Sequence, residues 1–222
     1  MQAPHLTDLR DLVRSRLIPG FTGLTEIEAD ARDWAEDVGE PPDAAVVEVR
    51  RLWDERADAQ QRWTEDGDYA RLRAAFDELD ADGVLARMNF SCCTRCATQA
   101  IDGERTPEPD RDDWYKFREW AYVYFHEQDA ERLADEDAVL YLGYSAFRPH
   151  PTLPDSLLDA MSEGDVDAEH TAYERTETLL AEQIVGVLNR HGLDVAWSGS
   201  RHDRIGIRIV RWRKPLPHSA IS

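Results

Sequence analysis

No stretch of the sequence comes near the roughly 18 consecutive apolar residues that a membrane-crossing helix requires. The first twenty residues likewise lack the apolar centre of a secretory signal. Asp8, Arg10, Asp11, Arg14 and Arg16 interrupt Leu6, Leu9, Val13 and Leu17, whose spacing of three and four is that of an amphipathic helix. With no export address in the chain, the expected compartment is the cytoplasm. Cysteine is scarce as well. The three present all fall between Cys92 and Cys96, so they cannot staple distant parts of the chain, and reduced thiols are expected. Lysine is nearly missing, with Lys116 and Lys214 the two among 26 basic residues. The sequence has no G-x-G-x-x-G, phosphate-binding P-loop, H-E-x-x-H or G-x-S-x-G, so the common signatures of dinucleotide, nucleotide, zinc-protease and serine-hydrolase sites are all missing.

What is abundant is acid. Across 222 residues, 45 Asp and Glu face 26 Lys and Arg, a net charge of −19. Such a surface repels nucleic-acid phosphates and anionic lipid and favours basic partners. Neither nucleic acid nor membrane is an expected partner. The imbalance reverses from His191 on, where six basic side chains (Arg201, Arg204, Arg208, Arg211, Arg213, Lys214) face two acidic ones. A nucleic-acid contact is one reading of that tail. The favoured one is an internal complement to acidic helices, or a solvated strand face. Seven Trp, seven Tyr and six Phe supply enough apolar surface for a packed core despite the charge.

Periodicity divides the chain. Residues 1–82 read as four helices. The second is expected to open at Thr25 with Glu28 closing a capping box, and the third at Asp43 as N-cap. From residue 83 the pattern changes to strands mixed with helices. Strands are expected at Val84 to Phe90, Ala121 to Phe125, Ala138 to Tyr144, Leu193 to Trp197 and Arg204 to Trp212, the last two as an antiparallel hairpin. Short helices are expected at Thr94 to Ile101 and Asp129 to Leu133, and a long one from Ala168 to Arg190. Residues 102–113 read as a polar loop, and residues 148–168, rich in Pro and acid, as an exposed connection without sheet. The fold class is α+β: a helical region, 1–82, packed on a mixed sheet of about four to five strands with a C-terminal helix and β-hairpin in 83–222.

Several stretches carry a resemblance: Asp68-Tyr-Ala-Arg-Leu-Arg-Ala-Ala-Phe76, Asn89-Phe-Ser-Cys-Cys-Thr-Arg-Cys96, Tyr124-Phe-His-Glu-Gln-Asp129, Leu140-Tyr-Leu-Gly-Tyr144, Gly192-Leu-Asp-Val-Ala-Trp197 and Arg204-Ile205. Together they resemble an uncharacterised bacterial family catalogued as a domain of unknown function. The likeness spans nearly the whole chain and implies a lineage without an activity. This chain departs from the family pattern at Ala130, Ser145 and Ser198.

Three readings compete for the cysteines. Cys93 and Cys96 form a C-x-x-C at a strand-to-helix junction, where one thiol of lowered pKa would serve as nucleophile or redox centre, with His126 as base held by Asp129 or Glu127. Alternatively Cys92, Cys93, Cys96 and His126 hold zinc as a tetrahedral Cys3His site or a subset of it. The third reading is small buried thiols filling space. His126 has a plain role available too, bonded to backbone at a strand end. The other histidines (His5, His150, His170, His191, His202, His218) are scattered. Either chemical reading requires the strands before Cys92 and His126 to be parallel neighbours, so that both groups reach one edge of the sheet. Tyr122, Tyr124, Tyr141, Tyr144, Trp197 and Trp212 alternate on strands, as half core and half edge or as an aromatic binding face. The leading expectation is a non-catalytic acidic binding protein for a basic protein or a small ligand. Its rivals are the cysteine-centred enzyme or sensor and the zinc site.

Overall fold

The computed structural model describes residues 3–110 and 114–217. Arg111–Asp113 of the expected polar loop, and His218, lie outside the described residues. In chain order the elements are α1 (Ala3–Leu17), α2 (Leu24–Asp37), α3 (Pro42–Gln61), α4 (Asp68–Ala81), β1 (Val84–Arg87), α5 (Thr94–Ala100), β2 (Ala121–Tyr124), α6 (Glu127–Glu131), β3 (Val139–Ala146), α7 (Asp155–Ser162), α8 (Val166–Arg190), β4 (Asp194–Ala196) and β5 (Ile205–Arg208). The class is α+β, as expected, and the five strands all follow residue 83.

The described residues form two compact units that are each discontinuous in sequence. The first comprises the chain up to Ala70, Ala130–Ala138 and the stretch from Ile209 on. Its core is the apolar stripe of α1, Leu9, Val13 and Leu17, closed by Ile27, Ala31 and Ala35 of α2 and by Ala45, Val49 and Trp53 of α3. Two expected caps are not used. Helix α2 starts at Leu24 behind Gly23, one residue before Thr25, because Glu28 is turned to Arg50 (2.7 Å) and Arg32 (3.4 Å) instead of back toward the helix start. Helix α3 starts at Pro42 behind Pro41, with Asp43 inside the first turn. Proline suits that position because its missing N–H would have had no helical partner.

Extended chain from Ile209 on completes this unit. Asp68 Oδ2 accepts the N–H groups of Val210 (2.9 Å) and Arg211 (2.7 Å), while Asp68 N–H bonds Arg211 O at 2.8 Å. Trp212 was expected on a strand, but β5 stops at Arg208. Its indole instead donates to Pro19 O at 3.0 Å, and Lys214 Nζ donates to Gly20 O at 2.6 Å.

The second unit, Arg71–Asp129 with Val139–Arg208, holds the sheet, in the order β1-β2-β3-β5-β4. The β1–β2 pair is parallel (Val84 opposite Ala121, Arg87 opposite Tyr124) and the remaining pairs are antiparallel. A parallel pair needs a long crossover, and residues 88–120 with α5 supply it. One sheet face presents Leu140, Leu142, Ile205 and Ile207, all fully buried, and α8 packs on β3 and β4 with Leu180 and Ile184 buried. The connection 148–168 is free of sheet and mostly exposed, but it is not all loop. Asp155–Ser162 forms α7, and Asp165 caps α8 by accepting from Asp167 and Ala168 N–H. Only Asp165 separates Gly164 from Val166, the first residue of α8, and this one cap starts the long helix earlier than its apolar spacing alone announced.

Candidate functional site

The site grows from a turn after β1. Asn89 (φ 51°) and Ser91 (φ 66°) both sit in the left-handed region, which residues with a Cβ seldom adopt. Backbone bonds to the segment after β2 hold them there: Phe90 N–H to Phe125 O at 2.8 Å and Glu127 N–H to Ser91 O at 3.0 Å. The turn delivers Cys93 as the extended N-cap of α5, its carbonyl accepting Ala97 N–H at 2.9 Å. Ala97 and Ile101 point into the core. The cysteines are left on the outer side.

Cys92 is exposed, Cys93 and Cys96 are half-buried, and all three are free thiols. Their sulfurs lie within 4.8 Å of one another, with Cys92 and Cys93 Sγ 3.8 Å apart. Cysteines that merely fill space would be enclosed, and these are not. The Cys96 N–H, followed by the Cys96 and Cys92 thiols, holds the Cys93 thiol below the usual range. Cys96 is pushed up to about 11, first by its hydrogen bond with Cys92 and then by that with Cys93. Of these two thiols, Cys93 therefore gives up its proton more readily than Cys96.

The parallel β1–β2 pairing meets the topological condition for cysteines and histidine to share one sheet edge. His126 is buried beside α5, its Nε2 3.0 Å from Thr94 Oγ1 and 3.1 Å from Asp129 Oδ2. Its Nδ1 accepts Asp129 N–H at 3.2 Å, and Asp129 Oδ2 in turn lies 3.4 Å from His126 N. This is a reciprocal capping box at the start of α6, with the imidazole in the place usually held by a hydroxyl. An Nδ1 that accepts a backbone N–H leaves the proton of the neutral ring on Nε2. In that tautomer the ring donates toward Thr94 or Asp129. Among the described residues, the group of ligand atoms close enough to share an ion comprises the three cysteines and does not include His126.

Asp129 is held in turn by Arg204, whose guanidinium donates to both carboxylate oxygens (2.9 and 2.6 Å) and to Tyr141 O (2.7 Å). Sequence reasoning placed Asp129 as an orienting partner and Arg204 in a basic tail complementing acidic helices, but gave Thr94 no role at the site. The Arg204-Ile205 pair was the available signal. Thr94 and Arg204 also line a cavity of about 270 Å3 with Thr98, Tyr122, Tyr124 and Tyr144, so part of the aromatic face borders a hollow. The rest of the basic tail is paired internally. Arg201 bonds Glu174 and Glu177 of α8 (2.6 and 2.9 Å), and Arg211 bonds Glu65 at 3.1 Å.

No helix of the described residues is long and apolar enough to cross a membrane. No curated protein and no solved structure matches the chain. A family model, however, matches residues 2–216, and the chain belongs to the family described as Domain of unknown function (DUF6891).

Proposed function

We propose that the chain binds zinc through the thiolates of Cys92, Cys93 and Cys96. One observation carries the reading: three sulfurs converge within 4.8 Å on an accessible surface. A tetrahedral zinc site with Zn–S bonds of about 2.3 Å has sulfurs about 3.8 Å apart. The Cys92–Cys93 separation of 3.8 Å equals that tetrahedral edge. The proposal takes up the zinc site that stood as a rival to the acidic binding protein, with the three cysteines and without His126 among its ligands.

The test is a zinc titration of anaerobically purified protein against a chromophoric chelator, with elemental analysis. One zinc per chain is expected, with loss of binding in Cys92→Ser/Cys93→Ser/Cys96→Ser. A chain that takes no zinc from the chelator sinks the reading. The lowered pKa of Cys93 supports a second one, a thiol nucleophile or redox centre on the same residues. It requires metal-free protein in which Cys93 is alkylated faster than an ordinary thiol at neutral pH.

A further inference from the structure

We infer that the ion held by Cys92, Cys93 and Cys96 keeps its fourth coordination position open, and that this position takes a small neutral or cationic thiol. The inference rests on the zinc reading.

The donor count comes first. Structural zinc sites are closed by four protein ligands, whereas three protein ligands and an open position mark sites where something else binds the ion. Among the described residues no fourth His, Cys, Asp or Glu joins the three sulfurs. His126 is the neighbour that could be asked to do so, and it is committed elsewhere. Its Nδ1 caps α6, its Nε2 faces Thr94 and Asp129, and the residue is 5% exposed. Turning it onto the ion would strip the Asp129 N–H of its acceptor and open the cap. On the other side Cys92, Thr94 and Arg95 are all exposed, so the fourth position is reached from solvent.

Charge selects the ligand. Three thiolates on Zn2+ leave a net −1, so a water on this ion is less acidified than one held by three neutral imidazoles. It stays a neutral, exchangeable ligand. A soft centre prefers a soft donor, and a thiol replaces that water with loss of its own proton. The exchange balances as [Zn(S-Cys)3(OH2)]− + RSH → [Zn(S-Cys)3(SR)]2− + H3O+. The second negative charge is added to a chain that already carries −19, which disfavours thiols bearing carboxylates. Arg95, exposed and between Cys93 and Cys96 in sequence, is a cation of the same short segment that can offset part of it.

Cobalt in place of zinc reports the coordination by its colour. The cobalt-loaded full chain is titrated with cysteamine, 2-mercaptoethanol and 3-mercaptopropionate, following the sulfur-to-cobalt charge-transfer band. Saturable growth of the band by about a third, the ratio of four thiolates to three, is expected without loss of tetrahedral features. Cysteamine should bind tightest and 3-mercaptopropionate weakest. A cobalt spectrum that ignores all three thiols overturns this inference and leaves the zinc reading standing. A spectrum that changes in His126→Asn before any thiol is added also overturns it, because His126 would then fill the fourth position. Failure of the chain to bind cobalt through sulfur at all removes the zinc reading itself.

Discussion

His126→Asn and His126→Ala separate the two roles open to this imidazole, as a helix cap and as a metal ligand. Alanine removes the acceptor for Asp129 N–H, which lies in a residue only 3% exposed, and leaves that donor buried. An orphaned buried donor costs about 1 to 3 kcal/mol. Deleting the buried ring adds a packing loss, giving about 3 kcal/mol in all for His126→Ala. Asparagine is among the best N-cap residues, and its side-chain oxygen reaches the same N–H, so His126→Asn should cost about 1 kcal/mol, mostly in lost volume. Chemical denaturation of the metal-free protein measures both. Zinc affinity is then read by chelator competition. A cap role predicts that His126→Asn stays within about threefold of the parent chain. A ligand role predicts a loss near 100-fold, since apparent zinc binding of about 10–16 kcal/mol shared by four donors gives about 3 kcal/mol each. A hundredfold loss in a variant that remains folded would refute the capping argument.

Three further outcomes follow from the first compact unit. Asp68→Ala removes two charge-assisted bonds to Val210 and Arg211 N–H, and because both residues are exposed to water it should cost about 2 to 3 kcal/mol in a urea melt. Asp68→Asn should cost less, since its carbonyl still accepts. Gly67→Ala would place a Cβ 2.5 Å from Arg211 O and 2.7 Å from Arg213 Cβ, and a drop of at least about 1 kcal/mol is expected; an unchanged melting temperature would show that the segment shifts freely. Glu48 is held at about 2 by its bond to Arg51 and then by that to Arg10, against an ordinary value of 4.5. A lowered folded-state value means that its contribution is complete above about 4.5 and disappears as the pH falls toward 2. With both arginines over 40% exposed, that contribution is about 1 kcal/mol, and Glu48→Gln should abolish this part of the acid dependence.

The helices and strands were legible because their signals are local. Leu6, Leu9, Val13 and Leu17 announce α1, and the aromatic, β-branched run at residues 121–124 announces β2. The caps at Thr25 and Asp43 were misread because side chains choose partners in space. Glu28 is drawn to Arg50, 22 residues on, and a proline already preorganises the start of α3. Helix α7 was hidden because Pro, Ser, Asp and Glu around it carry a loop composition, while Leu157, Leu158 and Met161 give too short a period to outweigh them. At the candidate site, the Cys-Cys-x-x-Cys spacing was legible in the sequence, whereas the parallel pairing stood there as a condition that the residues alone left open. The capping role of His126 was only half visible, as a histidine bonded to backbone at a strand end. Its reciprocity with Asp129 and the grip of Arg204, 75 residues away, belong to tertiary structure.

The Asp68 anchor and the Trp212–Pro19 bond also impose an order of events during synthesis. Gly20 O, Pro19 O and Gln60 Oε1 take their partners from Lys214, Trp212 and Leu216 N, so groups made early in translation wait for groups made more than 150 residues later. Loop closure across more than 190 residues is slow compared with the growth of α1 to α3 themselves. On the ribosome, then, the first three helices can form and collapse but cannot complete their unit. Their final ordering waits until residues 209–216 have left the exit tunnel. Removal of that short segment would therefore act at the opposite end of the sequence, loosening α1 and α3 while the sheet, whose strands are complete at Arg208, keeps its hydrogen bonds.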